Sequence, residues 1–160
     1  METMPDGQSK FAVRLAKGSD LAGLLALYRE LIPDDPALSV EAADAPFEAL
    51  ARIPGSGIYI GMLDDVIVST CTLVVIPNLT RGGQPYALIE NMVTAAEQRG
   101  RGYGRATLQH AVSSAWDHGC YKVMLLTGST APETLSFYRS AGFEPNKTGF
   151  QIRRLAPRAD

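Results

Sequence analysis

Three glycines at alternate positions, Gly100, Gly102 and Gly104, stand between two segments of different hydrophobic period. Upstream, Tyr86–Thr94 reads as a β-strand. Downstream, Leu108, Ala111, Val112, Ala115 and Trp116 share one face at helical spacing. A strand must therefore become a helix within a few residues. Alternating glycines let the backbone turn tightly there and present several N–H groups in one direction. The helix N-terminus adds partial positive charge, so the junction forms a cradle for an anion. Arg99, Arg101 and Arg105 crowd that positive end, where each cation costs about 0.3–1 kcal/mol. With Glu97 they leave +2 over residues 97–105, in a chain whose net charge is −2. Such placement suits an anion of several charges; the competing reading is a glycine-rich turn with solvated arginines.

The remaining periodicities place this junction in a mixed fold. Phe11–Lys17 alternates as a strand, and Gly18-Ser19-Asp20 opens a helix, with Ser19 at its N-cap. Leu21, Leu24, Leu25, Tyr28 and Leu31 or Ile32 give the apolar stripe that Pro33 stops. A short second helix is expected around Phe47, Leu50 and Ala51, begun at Pro46. Ile58–Ile60 and Val66–Ile76 flank a hairpin turn at Asp64-Asp65, and a loop over 77–85 leads into Tyr86–Thr94. Gly119 closes the long helix as its C′ residue. A strand over Tyr121–Thr127, buried on both faces, a helix over Pro132–Ala141 closed by Gly142, and a last strand over Phe150–Leu155 complete the order. That order predicts an α/β or α+β sheet with helices on both faces.

Length and composition narrow the function class. With 160 residues the chain is read as one domain, residues 1–10 forming a flexible tail. Near-neutral charge argues against a nucleic-acid binder. No apolar run is long enough to cross a bilayer, and the N-terminus has no basic or apolar leader region. Cys71 and Cys120 sit in apolar segments without metal-ligand spacing, which points to reduced buried thiols, a cytoplasmic protein and no metal.

The spacing speaks against two nucleotide readings of the anion. Position 105 is Arg, so the fingerprint is not the G-x-G-x-x-G of a dinucleotide site, and no G-x-x-x-x-G-K-[ST] exists. Arg99-Gly100-Arg101-Gly102-Tyr103-Gly104 instead resembles the Q/R-x-x-G-x-G/A signature of the GNAT superfamily of N-acetyltransferases. Ile89-Glu90-Asn91-Met92-Val93-Thr94 is similar to that family's fourth strand. Phe137-Tyr138-Arg139-Ser140-Ala141-Gly142-Phe143 is similar to its F-Y-x-x-x-G-F element, with Gly119-Cys120-Tyr121-Lys122 between them. The resemblance implies a mixed, mostly antiparallel sheet splayed between its fourth and fifth strands, with acetyl-CoA in the slot. Main-chain groups of Met92, Val93 and Thr94 would pair with the pantetheine arm. Backbone N–H groups across Arg99, Gly100, Arg101, Gly102, Tyr103, Gly104 and Arg105 would hold the diphosphate. The expected reaction is direct acetyl transfer from acetyl-CoA to a primary amine, with a homodimer among the expectations.

Resemblance also assigns the chemistry. Tyr138 matches the tyrosine that protonates the departing thiolate, and the N–H near Val93 donates to the thioester oxygen. Glu90, a carboxylate in an apolar strand, is the candidate base, because burial would raise its pKa. It could equally orient the acceptor or pair with a basic side chain, with a water relay taking the proton. Where many relatives carry an Asn that bonds the pantetheine, this chain has Ala131 and Thr134. His110 and His118 are read as structural.

Residues 31–51 fall where the family builds its acceptor site, and they hold five acidic residues and no Lys or Arg. That favours a cationic amine, small or peptidic, and speaks against a phosphate-bearing acceptor. A non-catalytic acyl-CoA-binding domain on the same fold is the alternative.

Overall fold

The structure, a computed structural model, describes residues 9–155. The chain divides into two compact units, one running to Leu125 and the other starting at Leu126. Residues 1–8 of the expected tail lie outside the described residues.

The first unit carries a five-stranded sheet in sequential order. Its strands are β1 (Phe11–Leu15), β2 (Gly57–Leu63), β3 (Val66–Ile76), β4 (Tyr86–Thr94) and β5 (Val123–Leu125). The first four pair antiparallel, and β4 and β5 run parallel. The helices are α1 (Leu21–Leu31), α2 (Val40–Ala51) and α3 (Tyr103–Asp117).

β3 separates the two helical faces of the sheet. Ser69 Oγ lies 2.5 Å from Thr107 Oγ1 of α3, while the adjacent Thr70 is hydrogen-bonded with Tyr28 of α1. Neighbouring strand residues point to opposite faces, so α1 and α3 cover different sides, as the order of elements predicts. Leu21, Leu24 and Leu27 of α1 are buried, as are Leu108, Ala111 and Ala115 of α3. At about 25 cal/mol per Å² of apolar surface, burial of these side chains together with Ile60, Leu73 and Ile89 is the main apolar contribution to stability. Trp116, expected on the same stripe, is half exposed. Its neighbour Ala115 takes the buried position of that turn.

Several boundaries differ from the sequence expectation. α1 is entered through a 3₁₀ turn at Gly18–Asp20 rather than capped by Ser19. Asp20 organises the turn: its carboxylate accepts from the Lys17 N–H at 2.7 Å and pairs bidentately with Arg14 at 2.7 and 2.9 Å. α2 starts at Val40, because Ser39 Oγ accepts from the Ala42 N–H, and Pro46 falls inside the helix. β5 is only three half-buried residues long, shorter and less covered than expected.

The second unit contains α4 (Pro132–Ser140), with Pro132 in its first turn. Gly142 at φ 97° ends it, as the glycine spacing predicts, and Phe143 N–H returns to the Tyr138 carbonyl at 3.1 Å. Phe150–Leu155 forms no strand; Phe150 and Ile152 are exposed instead. Alternation alone does not make a strand, since its backbone groups need a neighbour to pair with.

Candidate active site

The site is built where β4 changes register. Thr72 pairs with Glu90 but Thr70 pairs with Val93, so Cys71 alone opposes both Asn91 and Met92. Asn91 takes φ 51°, the left-handed region that Asn tolerates better than other non-glycine residues. Glu90 and Asn91 are consequently both exposed in succession, and Met92 and Thr94 half-buried around a buried Val93. The bulge coincides with the end of the β4–β5 ladder. Parallel pairing stops at Ile89↔Leu125, leaving Glu90–Thr94 without a strand on that edge. Unpaired main-chain donors and acceptors there can receive an extended amide-containing chain by strand-like hydrogen bonding.

The loop that follows is tied down on several sides. Ala95 N–H bonds to the Val68 carbonyl at 2.8 Å, and Arg99 Nε donates to the Thr94 carbonyl at 3.2 Å. Ala96 N–H reaches the Glu30 carboxylate of α1 at 2.7 Å. Gly100 and Gly102 then take φ 74° and 86°, so each position needs glycine for its backbone conformation, not for space. Gly102 is the N-cap of α3, which leaves the first N–H groups of that helix without side-chain capping. Tyr103 stacks on Phe11 at 4.6 Å between centroids, and Gly104 is buried. Below them Thr107 Oγ1 donates to the Tyr103 carbonyl at 3.0 Å, and the Ser69–Thr107 pair locks the first turn of α3 onto β3.

Arg99, Arg101 and Arg105 are exposed, and none lies within salt-bridge distance of a carboxylate among the described residues. Two left-handed glycines, an uncapped helix N-terminus and three guanidinium groups without a carboxylate partner among the described residues converge on one loop. Together with the open β4 edge they fit a ligand with a diphosphate at one end and an amide arm at the other, as acetyl-CoA has.

Glu90 departs from its expected setting. It is exposed, so the burial argued to make it basic is absent. Tyr138 lies on α4 of the second unit, packed edge-on to Phe137 at 5.1 Å and Phe143 at 6.3 Å. Both histidines make local contacts: His118 Nδ1 lies 2.8 Å from the Ser114 carbonyl, and His110 tilts against Tyr59 at 5.6 Å. Cys71 and Cys120 are free and buried, and no group of three metal-ligating side chains occurs among the described residues.

The sequence reading missed Asn91, Glu30, Ser69 and a basic-aromatic cluster. Only Asn91 had a visible signal, two polar residues in a row breaking the alternation of β4. In the cluster, Arg81 lies 5.4 Å from the Tyr121 ring centre. Lys122 Nζ lies 5.2 Å from the Tyr86 ring centre and 5.4 Å from that of Tyr121. Arg81 is held at φ 55°, a strained value for a non-glycine residue, followed by Gly82 at 66° and Gly83 at 83°.

Residues 24–143 match the family model described as Acetyltransferase (GNAT) family. The chain is 30% identical to a glucosamine 6-phosphate N-acetyltransferase of Trypanosoma brucei brucei over 141 residues, covering 88% of this chain and 93% of the relative. It is also 30% identical to glucosamine 6-phosphate N-acetyltransferase 1 of Oryza sativa subsp. japonica, over 86% of this chain and 83% of that protein. Among solved structures, a putative acetyltransferase from Agrobacterium tumefaciens str. C58 superposes with a TM-score of 0.85 at 50% identity, covering 89% of this chain and 99% of that one. With the open β4 edge and the glycine cradle in place, these matches identify the chain as an acetyl-CoA-dependent N-acetyltransferase that belongs to the GNAT family.

Proposed function

We propose that this N-acetyltransferase works by direct transfer to the amine of a phosphorylated amino sugar, within one domain spanning both units. The observation that carries the cofactor half is the open edge of β4 at Glu90–Thr94, continuous with the left-handed glycines of the cradle and with arginines that have no carboxylate partner among the described residues. The neutral amine attacks the thioester carbon, whose oxygen takes a hydrogen bond from the main chain near Val93 as it becomes anionic. The C–S bond then breaks, and Tyr138 donates its phenolic proton to the departing thiolate. The proton lost by the nitrogen passes to water, and Tyr138 regains its proton from solvent. Glu90, exposed at the bulge, orients the incoming amine rather than acting as the base.

The phosphate end of the acceptor is supported by Arg81 and Lys122. Both cations sit over the Tyr121 ring, and neither has a carboxylate partner among the described residues. An anion would relieve the repulsion between two like charges held at one ring. Lys122 precedes Val123, which pairs with Ala87. Glu90 is three residues further along β4, about 10 Å at the rise of a strand. The curated relatives, which carry glucosamine 6-phosphate in their names, agree with this class. Two buried free thiols support a reducing, cytoplasmic setting.

A second reading is carried by the acidic stretch at 31–51, where Asp34, Asp35, Glu41, Asp44 and Glu48 are all exposed and would favour a cationic amine. A CoA-release assay with both amine classes separates the two. Turnover of glucosamine 6-phosphate that falls at least tenfold in Lys122→Ala, with glucosamine itself unaffected, is the expected result. Turnover of cationic amines alone would establish the second reading. Acetyl-CoA binding with no turnover of any amine would leave a non-catalytic binding domain.

A further inference from the structure

The turn between the two halves of the cofactor site is held by a helix that belongs to neither. Main-chain groups of Met92–Thr94 and those of residues 99–105 must face one ligand together, so the turn at 95–98 sets their relative orientation. Two of its ties are local to the sheet: Ala95 N–H to the Val68 carbonyl, and Arg99 Nε to the Thr94 carbonyl. The third comes from 66 residues away, where Glu30 in the last turn of α1 accepts the Ala96 N–H at 2.7 Å. Ala96 opens the 3₁₀ turn Ala96–Gln98, and its N–H has no backbone acceptor.

We infer that Glu30 is a positioning residue for acetyl-CoA, acting through its hydrogen bond to Ala96 and in spite of its charge. The inference rests on the reading of this loop as the acetyl-CoA cradle. A carboxylate in the last turn of a helix is disfavoured by the helix dipole, and here it also faces the loop that receives a polyanion. Its charge opposes cofactor binding, while its oxygen holds the turn in the binding geometry. The two effects can be separated because glutamine keeps an acceptor oxygen and loses the charge. Glu30 is exposed, so either substitution leaves the buried core intact.

The test is acetyl-CoA affinity by calorimetry for the wild type, Glu30→Gln and Glu30→Ala, at low and high salt. Glu30→Ala is expected to weaken binding about fivefold, the loss of a hydrogen bond to a charged group being partly offset by removal of the opposing charge. Turnover at saturating acetyl-CoA should change less than twofold, so the loss appears in KM and not in kcat. Glu30→Gln is expected to bind as tightly as the wild type or more tightly, with the gain vanishing at high salt as charges are screened. A general structural defect would not reverse sign between the two variants. Equal affinity in Glu30→Ala and the wild type would overturn the inference. Equal weakening in both variants would overturn it as well, because the charge would then matter and the acceptor oxygen would not. A wild type that does not bind acetyl-CoA would instead overturn the reading of the loop itself, and the inference with it.

Discussion

Single side chains in this fold are tuned mostly by burial. Cys71 has no measurable exposure, and loss of hydration pushes its thiol up to about 12. An unfolded cysteine ionises near pH 8.5, so the folded state holds its proton over a range where the unfolded state would release it. A raised folded pKa therefore adds stability that is complete below pH ~8.5 and is lost as the pH rises toward 12. Cys120 is shifted the same way by the same cause. Neither thiol should react with a disulfide reagent in the native protein at pH 8, whereas both should react after unfolding in guanidinium. Rapid labelling of the native protein, followed by spectrophotometry, would contradict the buried placement of Cys71.

The strand and the loop that form the site depend on backbone conformation more than on side-chain identity. Asn91 is left-handed within β4, which offsets Glu90 and Met92 and ends the alternation of the strand. A β-branched residue there costs about 1–2 kcal/mol and tends to pull the strand back to regular pairing. Asn91→Val is therefore expected to lower stability in urea by that amount and to raise KM for acetyl-CoA, while Asn91→Gly remains close to wild type in both. The paired glycines follow the same logic. A Cβ on Gly102 would meet nothing within 4 Å, so only its φ of 86° opposes substitution. Gly102→Val should fold yet lose most of the thermal stabilisation that acetyl-CoA confers on the wild type. Undiminished stabilisation in a melting experiment would remove this loop from the cofactor site.

At the scale of the whole chain, the cradle belongs to the unit that ends at Leu125 and Tyr138 to the unit that follows. The family match runs from residue 24 to 143 and so spans both. If Tyr138 is the acid, Tyr138→Phe should reduce kcat by about 100-fold, the usual size of a lost proton transfer, with acetyl-CoA affinity unchanged. A loss of affinity equal to the loss of turnover would mark the ring as a packing element only. Residue positions within these units were legible in uneven measure. The stripe of α1 and the glycine ends of α3 and α4 were readable because a helix closes its hydrogen bonds within its own segment. The last strand over Phe150–Leu155 was read and did not form, because a strand's partners lie elsewhere in the chain.

The same distinction divides the site. The glycine turn proposed as the anion cradle was legible in the sequence alone, since Arg99–Arg105 is contiguous and its geometry comes from local φ values and the start of one helix. Tertiary structure alone decided that β4 bulges at Asn91 opposite Cys71, and that Arg81 and Lys122 share Tyr121. It also decided that Glu30 closes on Ala96 across 66 residues. Each of these contacts depends on the register of strands and helices brought together from distant parts of the chain. Register is set by the packing of the whole sheet, and no local run of residues encodes it.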